Sequence, residues 1–198
     1  FIADFQIYNA LCALGIVIAN GVSPKIATRA LEKLEGVIGR LQLVSELDNG
    51  ARIYVDYAHT PDALKNVLET INTIRSKNED LITIVGCGGD RDAAKRPKMG
   101  NIAATLSSKV IFTSDNPRSE NPETIIKSME KGVSGEHFNK TLSVSDRKQA
   151  IKTACQLANK GDIILVAGKG HETYQEIKGE RFDFDDYKII NELLIALN

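Results

Sequence analysis

Cysteine is scarce in this sequence, neither sign of charge is in excess, and no apolar run is long enough to matter to a membrane. The three cysteines, Cys12, Cys87 and Cys155, are scattered, odd in number and without CxxC spacing. They read as reduced thiols of a cytoplasmic protein and imply no metal site. Lys and Arg number 25 against 26 Asp and Glu, a formal net charge of -1. Neither nucleic acid nor an anionic membrane would be attracted on average, so any anion recognition must be local. The most apolar stretch, Leu11 to Ala19, is broken by Gly15 and stops at Asn20-Gly21, too short to cross a bilayer. No signal peptide, internal repeat or low-complexity tract is visible. The chain opens on Phe1 inside a helical pattern, which leads us to expect a piece of a longer protein.

What is present is an ordinary globular balance, 42% hydrophobic and 26% charged over 198 residues, enough for one domain plus part of another. Asp4 is placed to cap a helix running to about Ala19, with Asn20-Gly21 as its left-handed stop. Ser23-Pro24 then reads as an N-cap and first-turn proline opening a helix to about Leu34. A boundary is expected within Gly36 to Gly39. Beyond it, Leu41 to Leu47 and Ala51 to Tyr57 flank Asp48-Asn49-Gly50, a hairpin signal in which Asn-Gly supplies positive φ angles. Four β-branched runs follow, Leu81 to Val85, Lys109 to Thr113, Thr141 to Val144 and Asp162 to Ala167. They alternate with helical patterns at about Pro61 to Arg75, Arg96 to Leu106, Pro122 to Lys131 and Asp146 to Asn159. This predicts an α/β domain, a mostly parallel sheet with helices on both faces. A β-ribbon around Glu176 to Phe184 and a helix from Asp186 to Leu197 close it. Tyr54, Phe112 and Phe138 read as core packing, and Glu32, Lys33 and Glu35 as a solvated helix face.

In such sheets ligands bind at the carboxyl ends of the strands, where four polar loops fall: Asp56 to Pro61, Gly86 to Asp92, Asp115 to Arg118 and Gly168 to Glu172. They should converge on one cleft. Gly86-Cys87-Gly88-Gly89 resembles a dinucleotide fingerprint but has Arg91 where the third glycine belongs, which disfavours a nicotinamide enzyme. Nothing beside Cys87 would act as its base. In Asp115-Asn116-Pro117-Arg118, Pro117 fixes φ and holds Asn116 extended, so the side chains around it are aimed. Arg118 could fork onto a carboxylate while Asp115 takes an ammonium, a pairing suited to a zwitterion. Gly168-Lys169-Gly170-His171-Glu172 is not a phosphate-binding P-loop; its plain reading is a turn with solvated charges, while His171 and Glu172 together at a strand end favour binding or proton transfer. His59 stands with Asp56 at a strand end, where a structural histidine and a functional one are equally consistent.

Together, DYAHTPDAL at Asp56 to Leu64, GCGGDRDAAKRPKMG at Gly86 to Gly100, DNPRSENPE at Asp115 to Glu123 and GKGHETYQ at Gly168 to Gln175 are similar to the Mur ligases, specifically the MurE type. Each motif is modest; all of them in order along one domain are specific. IYNALCAL at Ile7 to Leu14 resembles that family's adenine-side helix, and GVIGRLQ at Gly36 to Gln42 its hinge into the last domain.

The resemblance implies a division at residues 1–37, the last helices of a central ATP-binding domain, and 38–198, a Rossmann-like C-terminal domain that binds the incoming amino acid. It implies that Asn9, Arg40, Asp56 and His59 serve ATP, and that Arg91, Asp115, Asn116, Pro117, Arg118, Gly168 and Glu172 hold meso-diaminopimelate. No catalytic residue and no metal ligand is assigned within the chain. The implied activity is ATP-dependent amide formation on UDP-MurNAc-L-Ala-D-Glu through an acyl phosphate, in the cytoplasm, by a monomer. Mg2+ would be held mainly outside this sequence, which has no GxxxxGK[ST] loop. The chain alone should therefore be inactive. A relative adding lysine or lanthionine, and a non-catalytic amino-acid-binding module, are the alternatives.

Overall fold

The computed structural model describes residues 4–34, 36–76 and 78–197, and the chain divides into two compact units, Phe1–Val37 and Ile38–Asn198. In the first unit α1 (Asp4–Ala19) is followed by α2 (Pro24–Ala30) and a 3-10 turn, Leu31–Lys33. The Ser23 side chain accepts from the Ile26 amide at 3.3 Å with Pro24 in the first turn, so that end is written locally. Gly21 takes φ +92° to stop α1. The Asp4 side chain and Glu35 lie outside the described residues; Glu32 and Lys33 are exposed. Ala27 is buried, while Ile7, Tyr8, Leu11 and Ile16 are all exposed, so this unit has little interior of its own.

The second unit is built on a six-stranded sheet in the order β1-β2-β6-β3-β4-β5. Its strands are β1 (Gln42–Glu46), β2 (Arg52–Asp56), β3 (Leu81–Val85), β4 (Lys109–Phe112), β5 (Thr141–Ser143) and β6 (Ile163–Ala167). Only β1 runs antiparallel, to β2; every other pairing is parallel. Each residue of β3 and of β6 is buried, because parallel strands covered on both faces have no solvent side. Helices α6 (Arg147–Leu157) and α7 (Asp186–Leu197) pack Ile151, Ala154, Ile190 and Leu193 with Ile53, Ile82, Ile84, Ile164 and Val166. Strand alternation turns Thr83 the other way, where its hydroxyl meets Ser107 at 2.8 Å. That residue caps the end of α4 (Lys95–Leu106), which lies with α3 (Pro61–Ile74) and α5 (Pro122–Glu130). A separate ribbon pairs β7 (Tyr174–Ile177) with β8 (Glu180–Asp183).

Three sequence expectations need correction. Asn49 does not share the positive φ of the hairpin; Gly50 alone does, at +81°. The three-residue loop needs only one left-handed position, and Asn49 instead donates to Ala158 O at 2.8 Å. Phe138 is 61% exposed in a 3-10 stretch before the short edge strand β5, where no second layer covers it. Asp162 is not a strand residue: its carboxylate accepts from the amides of Asp80 and Asn159, both at 2.8 Å.

The strand order sets β2, β6, β3 and β4 side by side and parallel. The four polar loops read from the sequence therefore leave neighbouring carboxyl ends. Chain order alone would have put β6 last; its insertion between β2 and β3 brings Gly168 to Glu172 into the middle.

Candidate functional site

The loops after β3 and β4 are laced together. Gly89 N donates to Asn116 O at 2.9 Å, and Arg118 Nη1 to Gly89 O at 2.8 Å. A Cβ on Gly89 would stand 1.9 Å from Pro117 O, so only glycine permits this approach. Asp90 takes the Ser119 hydroxyl at 2.6 Å and the Ser119 amide at 3.1 Å. Glu120 receives Arg96 in a two-point contact, at 2.7 and 2.9 Å, and the Asp90 amide at 2.7 Å. The paired guanidinium holds the Glu120 carboxyl below its usual range. Asp90 and Arg118, facing each other across this seam, both adopt positive φ, +53° and +50°. For an arginine that conformation costs about 1–2 kcal/mol. Its flanks hold it there: Arg118 N donates to Glu176 O at 2.9 Å and Lys178 N to Arg118 O at 2.7 Å.

The loop after β6 closes the group. Asn116 Nδ2 donates to Glu172 Oε2 at 2.9 Å, and Asn116 Oδ1 accepts from Glu176 N at 3.0 Å and Lys169 Nζ at 3.2 Å. Lys169 Nζ also reaches Glu172 Oε2 at 3.2 Å. The reading of solvated charges in this loop fails for Lys169, which is 0% exposed. Gly168 takes φ +115°, and a Cβ there would lie 2.7 Å from Asp115 Oδ2. Beneath it, Arg147 and Asp186 form a fully buried pair, with Nε and Nη2 on the two carboxylate oxygens at 2.8 and 2.7 Å. Arg147 Nη2 also donates to Ala167 O at 3.0 Å, just before Gly168.

Once these contacts are made, a defined set of groups is left open. Among the described residues the Asp115 carboxylate and Glu172 Oε1 take no hydrogen bond. Arg118 uses Nη1 on Gly89 O and Nε on Glu176 Oε2, at 3.4 Å, which leaves Nη2. Arg91 is exposed and, among the described residues, hydrogen-bonds its neighbour's carbonyl alone, Asp90 O, at 3.3 Å. Open carboxylate oxygens and open guanidinium nitrogens on one rigid frame can receive an ammonium and a carboxylate together. Asn116 and Pro117 contribute differently from the side chains around them: Asn116 is 3% exposed and serves the frame, while Pro117 sets its direction.

The end of β2 is built otherwise. Asp56 faces the backbone: its carboxylate accepts from Leu41 N at 2.6 Å and Ala58 N at 2.8 Å, and burial raises its pKa despite those amides. Leu41 follows Arg40, whose guanidinium lies 4.6 Å from the Tyr57 ring centroid. Tyr57 also meets His59 at 4.5 Å and His171 at 5.2 Å, ring to ring. The His59 ring pairs with Tyr57 O at 2.8 Å. Arg40, Asp56 and His59 are thus brought together, with Asp56 holding the backbone of Leu41 and Ala58, the residues next to the other two. Asn9 is exposed on α1 in the first unit.

Sequence reasoning missed Lys169, Arg96, Glu120, Tyr57 and the Arg147–Asp186 pair. A lysine directly after a wholly apolar strand and between two glycines was a usable sign for Lys169. Nothing local marks Arg147 and Asp186, 39 residues apart. Cys87 is buried beside Met99, and burial pushes its thiol up to about 12.

Similarity to known proteins extends over nearly the whole chain. The family described as "Mur ligase, glutamate ligase domain" matches residues 39–170. The chain is 53% identical over 196 residues to a UDP-N-acetylmuramoyl-L-alanyl-D-glutamate--2,6-diaminopimelate ligase of Cytophaga hutchinsonii, covering 99% of this chain and 40% of that protein. It is 48% identical over 198 residues to the ligase of the same name from Bacillus velezensis, covering 100% of this chain and 39% of the relative. The chain therefore spans about two fifths of the length of these curated relatives. A solved structure with that ligase's title superposes with a TM-score of 0.76 at 39% identity, over 100% of this chain and 39% of the other. E. coli FolC in complex with ADP shares the fold at 20% identity, with a TM-score of 0.62 over 96% of this chain and 38% of that one. By the matched domain and by identity over nearly its whole length, the chain belongs to the Mur ligase family.

Proposed function

We propose that this chain is the amino-acid-binding part of an ATP-dependent ligase that adds meso-diaminopimelate to UDP-MurNAc-L-Ala-D-Glu. The observation that carries the reading is the set of open groups of both signs, Asp115 and Glu172 Oε1 against Arg118 Nη2 and Arg91. A diamino diacid offers a distal ammonium to the first pair and a distal carboxylate to the second. Residues 38–198 would be the C-terminal domain, and residues 1–37 the end of a central ATP-binding domain. Exposure of Ile7, Tyr8, Leu11 and Ile16 supports that second assignment, since apolar faces of this kind pack under a larger body.

In the proposed reaction the γ-phosphoryl group of ATP passes to the glutamate carboxylate, giving an acyl phosphate. The deprotonated amine of the diamino acid attacks the carbonyl carbon, and phosphate leaves from the tetrahedral intermediate. The residues of this chain hold the nucleophile; fixing an amine in attack geometry contributes several kcal/mol. On the nucleotide side, Asn9, Arg40 and His59 would meet ATP, with Asp56 setting the backbone of Leu41 and Ala58. A hinge at Gly36 to Arg40 would let the domains close. Among the described residues no group of three or more His, Cys, Asp or Glu could hold a metal ion; Mg2+ would be held mainly by residues outside this sequence. Among the described residues no helix is long and apolar enough to cross a membrane; a cytoplasmic monomer is the proposed setting.

The test is substrate choice. Given ATP and UDP-MurNAc-L-Ala-D-Glu, an intact ligase carrying this sequence should consume meso-diaminopimelate in strong preference to lysine, measured by phosphate release. Equal use of lysine would overturn the amino-acid assignment. The 198-residue chain by itself should show no ATP turnover and should bind ATP only in roughly the millimolar range, about -4 kcal/mol. Micromolar binding by calorimetry would overturn the domain assignment.

A further inference from the structure

We infer that Lys169 is a positioning residue that tunes which diamino acid the site takes: its buried ammonium fixes Glu172 and offsets one carboxylate charge of the site. The inference rests on the amino-acid-site reading above and adds to it a residue that does not touch the ligand.

Lysine is among the residues least often found fully buried, yet Lys169 is 0% exposed. Its ammonium has three donors and, among the described residues, two hydrogen-bond acceptors, Asn116 Oδ1 and Glu172 Oε2, each at 3.2 Å, with the Tyr174 ring centroid 5.6 Å away. Every one of these partners comes from a segment that frames the site: the β4 loop, the β6 loop and the ribbon. A methionine would fill the same volume without the cost of desolvating a charge. What the charge adds is a fixed Glu172, with Oε2 turned inward to Lys169 and Asn116 and Oε1 left outward.

The signs around the site give the consequence. Glu176 already pairs with Arg118, and Asp186 with Arg147, so Asp115 and Glu172 are the carboxylates that face a ligand. Lys169 cancels one of them. Without it the site carries one more negative charge and repels a ligand carboxylate more strongly. Diaminopimelate and lysine both bring two amines, but diaminopimelate brings a second carboxylate. Loss of Lys169 should therefore shift choice toward lysine, whereas simple loosening of the loop would harm both amino acids alike.

The experiment measures kcat/KM for meso-diaminopimelate and for lysine in an intact ligase carrying this sequence, with Lys169→Met, Lys169→Gln and Lys169→Arg. Lys169→Gln keeps an N–H donor and loses the charge; Lys169→Arg keeps the charge. In the two neutral variants the diaminopimelate-to-lysine ratio should fall about tenfold or more, with KM for ATP unchanged. Lys169→Arg should hold the ratio near that of the wild type even if overall activity drops. A ratio that stays constant while both amino acids decline, in whichever neutral variant folds, overturns the role of Lys169 and leaves the wild-type preference standing. A wild type that does not prefer diaminopimelate overturns the underlying reading as well.

Discussion

The two sides of this sheet edge are constructed in opposite ways. Around Asp115, Arg118 and Glu172, three loops and a ribbon are joined by hydrogen bonds, glycine contacts and buried charges. Around Arg40, Tyr57 and His59, the side chains lean on one another's rings and stay near solvent, over a buried Asp56. A site that discriminates one small zwitterion from another needs fixed charges, since misplaced ones give no selectivity. On the proposed function the second group is a nucleotide platform that has to meet another domain, and it would gain from side chains still able to adjust. The contrast is one of stiffness, and substitutions can break it at graded depth.

The largest effect should come from the buried pair under Gly168. Arg147→Met strands Asp186 without its partner and should cost about 3–5 kcal/mol of stability, read as a lower urea midpoint for the chain. A loss below about 1 kcal/mol would show that the pair does not brace the end of β6. Replacing both residues with apolar ones should recover much of the loss, because neither charge is then stranded.

Next comes Arg118 itself. In an intact ligase carrying this sequence, Arg118→Ala should cost about 2–5 kcal/mol, roughly 30- to 5000-fold, for diaminopimelate. Lysine, with no distal carboxylate to lose, should suffer far less. Arg118→Lys should rescue little, because an ammonium lacks the planar fork and the fixed direction of Nη2. Parallel decline of both substrates would mean that Arg118 holds the loop and does not read the ligand.

The seam between the β3 and β4 loops should show as an acid sensitivity. Arg96 holds the Glu120 carboxyl below its usual range, so the stabilisation is complete above that range and disappears as pH falls through the lowered value. The stability gap between wild type and Glu120→Gln should be present near neutrality and shrink from about pH 4 downward. A gap that widens in acid would reverse the sign of the argument.

The smallest effect belongs to the open side. Tyr57→Leu removes the ring under Arg40, a contact worth about 0.5–1 kcal/mol at an exposed position. KM for ATP should rise only a few-fold, and the diaminopimelate-to-lysine ratio should not move. A large loss of amino-acid selectivity there would erase the distinction between the two sides.

Much of this arrangement was legible in the chain. Apolar runs of strand length, Thr60-Pro61, Asn121-Pro122 and Asp146 as helix starts, and the glycines of the loops are local signals, and local sterics enforce them. Arg118 and Asp115 could be singled out because a proline between them fixes where they point. Phe138 misled because hydrophobicity says what would prefer burial, and only the layers decide whether a cover exists.

The sequence by itself determined the alternation of strands and helices, the four polar loops at strand ends and the residue types able to take a zwitterion. Those follow from periodicity and φ/ψ preference, which act over a few residues. Only the tertiary structure decided that β6 inserts between β2 and β3, and that insertion brings Lys169 and Glu172 against Asn116, 53 and 56 residues away in the chain. It also decided that Asp56 turns to the backbone and that Arg147 finds Asp186 under the site. A charge has no local preference for one distant partner. Its pairing is selected when burial removes water and leaves a single countercharge within reach.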